Sequence, residues 1–182
     1  MKQHLYATPE YITGLDIKNV RNSLGISQKD FAALIHCSKA TVERWEISKE
    51  PINGPIVLLL EFLKRDTAYI NNITIPAKEF PLRLWYMHRQ TPCTLIDVDE
   101  INKAVSIRNF TNNIMFCAFG TEQHPTYTMY EEFLESRCFP RERDKMKLIL
   151  KELDLPFYDP VMIIEKTQGR MAEDDFWIKF QE

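Results

Sequence analysis

The chain has 182 residues, 45% of them hydrophobic, which suits one or two small globular domains and excludes a disordered, collagen-like or disulfide-scaffold protein. Its 23 Lys and Arg against 26 Asp and Glu give a net charge of −3, so a nucleic-acid contact must come from local placement of charge rather than an overall field. The apolar runs are too short to span a membrane and the opening MKQHLYATPEY lacks a signal-peptide core, so the expectation is a cytoplasmic protein without membrane attachment.

Residues 1–14 read as an arm leading to a helix start. Asp16–Leu24 is predicted helical, with Ile17, Val20 and Leu24 on one face and Gly25 ending it. Ser27 is the expected N-cap of a second helix, Gln28–Ile35, with Asp30 in its first turn. Ser38 caps a third, Lys39–Trp45. Pro51, Gly54 and Pro55 punctuate the next loop, and Pro55 suits the first position of a fourth helix through IVLLLEFLKRD. Composition changes over INNITIPAKEFP, so two domains are predicted, residues 1–70 and 71–182.

Beyond the boundary the pattern turns to strands: LRLWYMHR, CTLIDVD and AVSIRNF, with DEINK as the hairpin loop between the last two. IMFCAF reads as a further strand, with a helical turn as the alternative. YTMYEEFLESR is a helix with Tyr130, Phe133 and Leu134 on one face. RERDKMKLILKEL is an amphipathic helix with Met146, Ile149, Leu150 and Leu153 at i, i+3, i+4 and i+7. VMIIEK is a short helix or strand, and DDFWIKF a closing strand. The expected class is α+β overall, an all-α N-terminal domain followed by a small α+β domain with an antiparallel sheet.

Cys37, Cys93, Cys117 and Cys138 form no CxxC and have no His at zinc-finger spacing, so they read as small buried hydrophobes, and no metal or cofactor is predicted. No phosphate-cradling glycine pattern follows the first domain, and Cys138 and Arg143 bracket FPRE one residue short of a cysteine-phosphatase loop. Asp174 and Asp175 would face opposite sides of a strand and make a poor acid–base pair. The expectation is a protein that is not an enzyme.

Two short helices joined by a tight turn suit a helix-turn-helix unit. Ala32 lies where they would cross, and Phe31, Ile35, Cys37, Val42 and Trp45 would fill their shared core. That leaves Lys39, Ala40, Glu43 and Arg44 on the outer face of the second helix, shaped for a major groove. SQKDFA, the turn HCS and KATVERWE resemble the Cro/C1-type (XRE) family of helix-turn-helix regulators, and GPIVLLLEFL resembles its antitoxin-type members. The resemblance covers roughly residues 15–65. It implies that Gln28 contacts DNA backbone or an outer base, that Lys39, Ala40, Glu43 and Arg44 read base edges, and that Ser38 and Thr41 touch phosphates. Glu43 can accept from cytosine or pair with Lys39. His36 and Ser48 depart from the family's glycines, and a positive φ at His36 would be strained.

ESRCFPRERDKMKLIL, LPFYDP and EKTQGRMAEDDFWI resemble a C-terminal domain of small regulators that accompany Hip-type kinase toxins, which implies a kinase-binding role for residues 81–180. Arg137, Arg141 and Arg143, with Arg170, are the candidate partner-binding residues, the alternative being a solvated helix face. The function expected is a sequence-specific regulator that binds double-stranded DNA at a palindromic operator as a homodimer. It would be an antitoxin-type autorepressor that also binds a protein partner. Two alternatives are a ligand-sensing regulator, with a pocket lined by Trp85, Tyr86, Phe116 or Phe119, and a protein-only adaptor with a vestigial helix-turn-helix.

Overall fold

The structure is a computed structural model and describes residues 6–181, so residues 1–5 of the expected arm lie outside it. It is α+β and divides into two compact units, Met1–Thr74 and Ile75–Glu182.

Among the described residues the first unit has five helices: α1 (Gly14–Ser23), α2 (Gln28–Leu34), α3 (Lys39–Ile47), α4 (Pro55–Arg65) and α5 (Thr67–Ile73). Side chains define where they begin. Thr13 and Asp16 form a reciprocal capping box on α1, Ser27 accepts from the Asp30 amide, and Ser38 accepts from the Thr41 amide. Each such cap contributes about 1 kcal/mol. Gly54 stands before Pro55 at φ 99°, ψ −165°, a conformation that is essentially glycine's alone. Ile17, Phe31, Val42 and Leu60 are fully buried at the centre. Gly14 lets the start of α1 press onto the end of α3: a Cβ there would overlap the Trp45 carbonyl oxygen and crowd that of Glu46. Ile12 and Ile52 exchange backbone hydrogen bonds of 2.9 and 2.8 Å, tying the arm to the loop after α3.

In the second unit β1 (Leu82–His88), β2 (Thr91–Asp99), β3 (Ala104–Asn109) and β4 (Phe176–Gln181) make an antiparallel sheet in the order β3-β2-β1-β4. One face carries Leu84, Tyr86, Ile96, Val98 and Ile178 into a core completed by α6 (Tyr127–Ser136) and α8 (Pro160–Thr167). Tyr130, Phe133 and Leu134 are the buried residues of α6, as their spacing predicts. On the other face Arg83 and Asp97 form a buried ion pair of 2.6 Å. Arg83 also donates to the carbonyls of Pro76 and Ala77, and Asp97 accepts from the Glu79 amide, so residues 76–79 are strapped to the sheet.

Three segments differ from expectation. IMFCAF is not a strand: Ile114–Phe116 is a single 3₁₀ turn, because the Asn113 side chain accepts from the Met115 amide and Ile114 and Met115 point to solvent. The helix expected from Arg141 starts only at Met146. Lys145 is left-handed and gives no side-chain cap, so α7 spans Met146–Glu152. The helix α5 was not anticipated; Asp66 caps it by accepting from the Tyr69 amide.

Candidate nucleic-acid interface

The turn between α2 and α3 is closed by the backbone. The Cys37 amide donates to Ala32 O at 2.9 Å and the His36 amide to Ala33 O at 3.3 Å, which is a Schellman ending with His36 at the left-handed position, φ 53°. The end of α1 uses the same pair of bonds with Gly25 in that place. Beneath the turn Phe31, Ala32 and Val42 are buried, with Ile35, Cys37 and Trp45 packed partly against them.

A second device orients α3. Arg21 on α1 holds Glu46 on α3 through Nε–Oε1 at 2.7 Å and Nη2–Oε2 at 3.2 Å, and gives its other nitrogen to Ile26 O. Gln28 on α2 donates to Glu46 Oε2 at 2.8 Å. One carboxylate therefore joins three helices. The Arg21 bonds, with a smaller contribution from Gln28, hold the Glu46 carboxyl below its ordinary pKa despite burial. Sequence reading singled out neither Arg21 nor Glu46, and it placed Gln28 on the DNA side. In the structure Gln28 is half-buried and its amide nitrogen is committed to Glu46.

The outer face of α3 is presented to solvent. Ser38, Lys39, Ala40 and Arg44 are exposed, and Thr41 and Glu43 are half-buried. Ser38 and Thr41 share a hydroxyl bond of 2.8 Å beside the cap. Lys39 Nζ lies 2.8 Å from Glu43 Oε1. Among the described residues no hydrogen bond or ion pair engages Arg44. The face thus offers an unengaged guanidinium, a neutralised Lys–Glu pair and the free amides of a helix N-terminus. These groups can donate to guanine and to phosphate.

The basic candidates of the second unit part company. Arg137 is a correction: expected on a charged surface, it is buried, with its guanidinium bonded to Asp174 at 2.7 and 3.0 Å and to the carbonyls of Gly169 and Phe176. It fastens the end of α6 to the approach to β4. Arg141 is exposed and paired with Glu135, Arg143 is exposed, and Arg170 lies 4.8 Å over the Trp177 ring. The rings expected to line a ligand pocket each pack against another ring: Tyr86 stacks on Phe176 at 4.9 Å, Trp85 on Phe110 at 5.7 Å and Phe116 on His88 at 4.6 Å, and Phe119 lies tilted against Phe133 at 5.2 Å.

Among the described residues no group of His, Cys, Asp or Glu could hold a metal ion, and no helix is long and apolar enough to cross a membrane. A helix-turn-helix family model matches residues 17–70. Over 58 residues the chain is 33% identical to Antitoxin HigA-2 of Vibrio cholerae serotype O1, an alignment covering 32% of this chain and 56% of that protein. The chain thus spans about half the length of the curated relative it matches. No solved structure matches.

Proposed function

Residues 17–70 being a helix-turn-helix domain of the Cro/C1 (XRE) type, we propose that the chain is a sequence-specific transcription regulator, non-enzymatic and cytoplasmic, that represses its own gene in the manner of an antitoxin. The observation that carries the reading is the outer face of α3, where Arg44 stands unengaged beside the Lys39–Glu43 pair. Arg44 reads guanine, Lys39 and Glu43 contact further base edges with Ala40, and Ser38 and Thr41 touch phosphate. Gln28, with its amide nitrogen held by Glu46, adds an outer base contact from α2 through its amide oxygen. Similarity to a protein described as an antitoxin supports a toxin as protein partner, and its binding is assigned to the second unit on the resemblance of residues 81–180 to regulators that accompany Hip-type kinase toxins.

One such helix reads only a few base pairs, so two copies on a palindrome are needed for specificity. The outer face of α4 supports a homodimer: Leu58, Leu59 and Phe62 are exposed beside the core residues Ile56, Val57, Leu60 and Leu63.

Selection of binding sites from random and genomic DNA at near-physiological salt tests the reading. Enrichment of a palindrome, lost when Lys39→Ala and Arg44→Ala are combined, is the expected result. Unchanged specific affinity in that double variant would overturn the residue roles, and the absence of any enriched site would overturn the function.

A further inference from the structure

A glutamine amide has a donating end and an accepting end, and its neighbours decide which end faces where. The Gln28 nitrogen donates to Glu46 Oε2 at 2.8 Å. The same carboxylate takes Arg21 Nε at 2.7 Å and Arg21 Nη2 at 3.2 Å. These bonds hold the Glu46 carboxyl below its ordinary pKa, so at neutral pH it is ionised and can only accept. Turning the Gln28 amide over would set its oxygen against that carboxylate, two acceptors with no proton between them. Glu46 therefore fixes which end of the amide points away from it.

The end that points away is open. Among the described residues no hydrogen bond reaches Gln28 Oε1, and Gln28 is only half-buried. The oxygen is not sealed either: the Tyr130 hydroxyl is the side-chain polar atom that is both closed off and unpartnered among the described residues. Glu46 follows Glu43 by three residues, so the two share a flank of α3, and Glu43 belongs to the outer face. Its bond to Glu46 thus brings the Gln28 amide to the margin of that face. DNA offers few donors to an acceptor in this place. Phosphate oxygens accept, as do guanine N7 and O6 and thymine O4 in the major groove. Adenine and cytosine alone present an amino group there, at N6 and N4.

We propose that Gln28 reads a base bearing an amino group, adenine or cytosine, at the outer edge of each half-site, and that Glu46 is the positioning residue that confers this preference. The inference rests on the DNA-binding role given above for α3 and names the base class that the outer contact selects. Gln28 Oε1 accepts from the amino group. Glu46 stays beneath, its side chain 5% exposed, and acts only through Gln28.

The test compares the parent chain with Gln28→Ala and Glu46→Gln, first by binding-site selection and then by fluorescence anisotropy on single duplexes. Adenine or cytosine is expected at the outer position in the parent, and loss of that preference alone in Gln28→Ala. Replacing the selected base by its amino-free analogue, purine for adenine or 2-pyrimidinone for cytosine, should weaken the parent about fivefold and leave Gln28→Ala unchanged. The Glu46→Gln side chain both donates and accepts, so it releases the orientation of Gln28. It should bring the four bases at the outer position close to parity while the preference at the Arg44 position persists. A merely structural role for Glu46 would weaken all sequences alike and move no preference. Circular dichroism confirms that each variant is folded, and the analogue duplexes with the parent and Gln28→Ala test the base contact without Glu46→Gln. Guanine or thymine at the outer position, an analogue bound as well as the natural base, or an unaltered preference in folded Glu46→Gln would each overturn the inference while leaving the DNA-binding role intact. So would a Gln28→Ala chain weakened equally on every sequence, which marks a phosphate contact. The absence of any selected site overturns the DNA-binding role and this inference with it.

Discussion

Lys39 and Glu43 lie one helical turn apart on the exposed face of α3 and are joined at 2.8 Å. The pair holds the ammonium where it serves Glu43, so binding DNA through Lys39 first requires the bond to open. Glu43→Gln removes that competition. It should change stability by less than about 0.5 kcal/mol, since exposed i, i+4 pairs contribute little. It should strengthen non-specific DNA binding and steepen the slope of log K against log salt by about one. Fluorescence anisotropy across a salt series measures the slope, and a slope equal to that of the parent chain would show that Lys39 does not gain a phosphate.

Glu46 makes the first unit acid-sensitive. Its carboxyl is held below the ordinary value by Arg21, so its stabilising contribution is present above the unfolded carboxyl's pKa and is lost as pH falls through the folded one. Thermal unfolding of the parent chain should weaken below about pH 4.5. Glu46→Gln should cost about 1–3 kcal/mol at neutral pH, because the amide keeps one acceptor for Arg21 but loses the charge and sets an NH2 donor against its second N–H. Its acid-induced loss should also be shallower than the parent's. An equally steep loss would place the acid sensitivity elsewhere.

His36 occupies, at φ 53°, the position that Gly25 fills in the equivalent ending of α1. The left-handed conformation costs a residue with a Cβ about 1–2 kcal/mol, and glycine's greater freedom in the unfolded chain offsets part of any gain. His36→Gly should therefore stabilise by up to about 1 kcal/mol, and His36→Val should destabilise by about the same. Urea unfolding of both variants gives the comparison; a more stable valine variant would contradict the turn geometry.

At Gly14 a methyl group has nowhere to go, because the Trp45 carbonyl is backbone and cannot rotate aside. Gly14→Ala should cost about 1–3 kcal/mol, despite alanine's better helix propensity. Denaturant midpoints measure it, and an unchanged midpoint would mean that α1 and α3 are less closely seated than the structure has them.

Local signals made the first four helices legible, because Ser27, Ser38 and Pro55 act within one turn of themselves. The exposed face of α3 was legible for the same reason, since spacing alone separates Lys39, Ala40 and Arg44 from Val42. What escaped was non-local. Arg21 and Glu46 are 25 residues apart on different helices. Arg137 reads as surface charge until Asp174, 37 residues later, is brought beside it. The late start of α7 has a local mark that apolar spacing does not register: Lys145, at its N-cap, is left-handed and supplies no side-chain cap.

The strap at residues 76–79 bears on how the chain can be divided. A protease must draw extended, unbonded backbone into its cleft, and here the carbonyls of Pro76 and Ala77 and the amide of Glu79 are held by Arg83 and Asp97. Nicking between these residues requires their bonds to Arg83 and Asp97 to break first, which leaves Thr74 and Ile75 as the better place to divide the chain. Cutting after Glu79 instead would take the strap away with the wrong half and leave the Arg83 guanidinium, at 3% exposure, without two of its acceptors. Whoever expresses the C-terminal half alone should therefore begin it at Ile75.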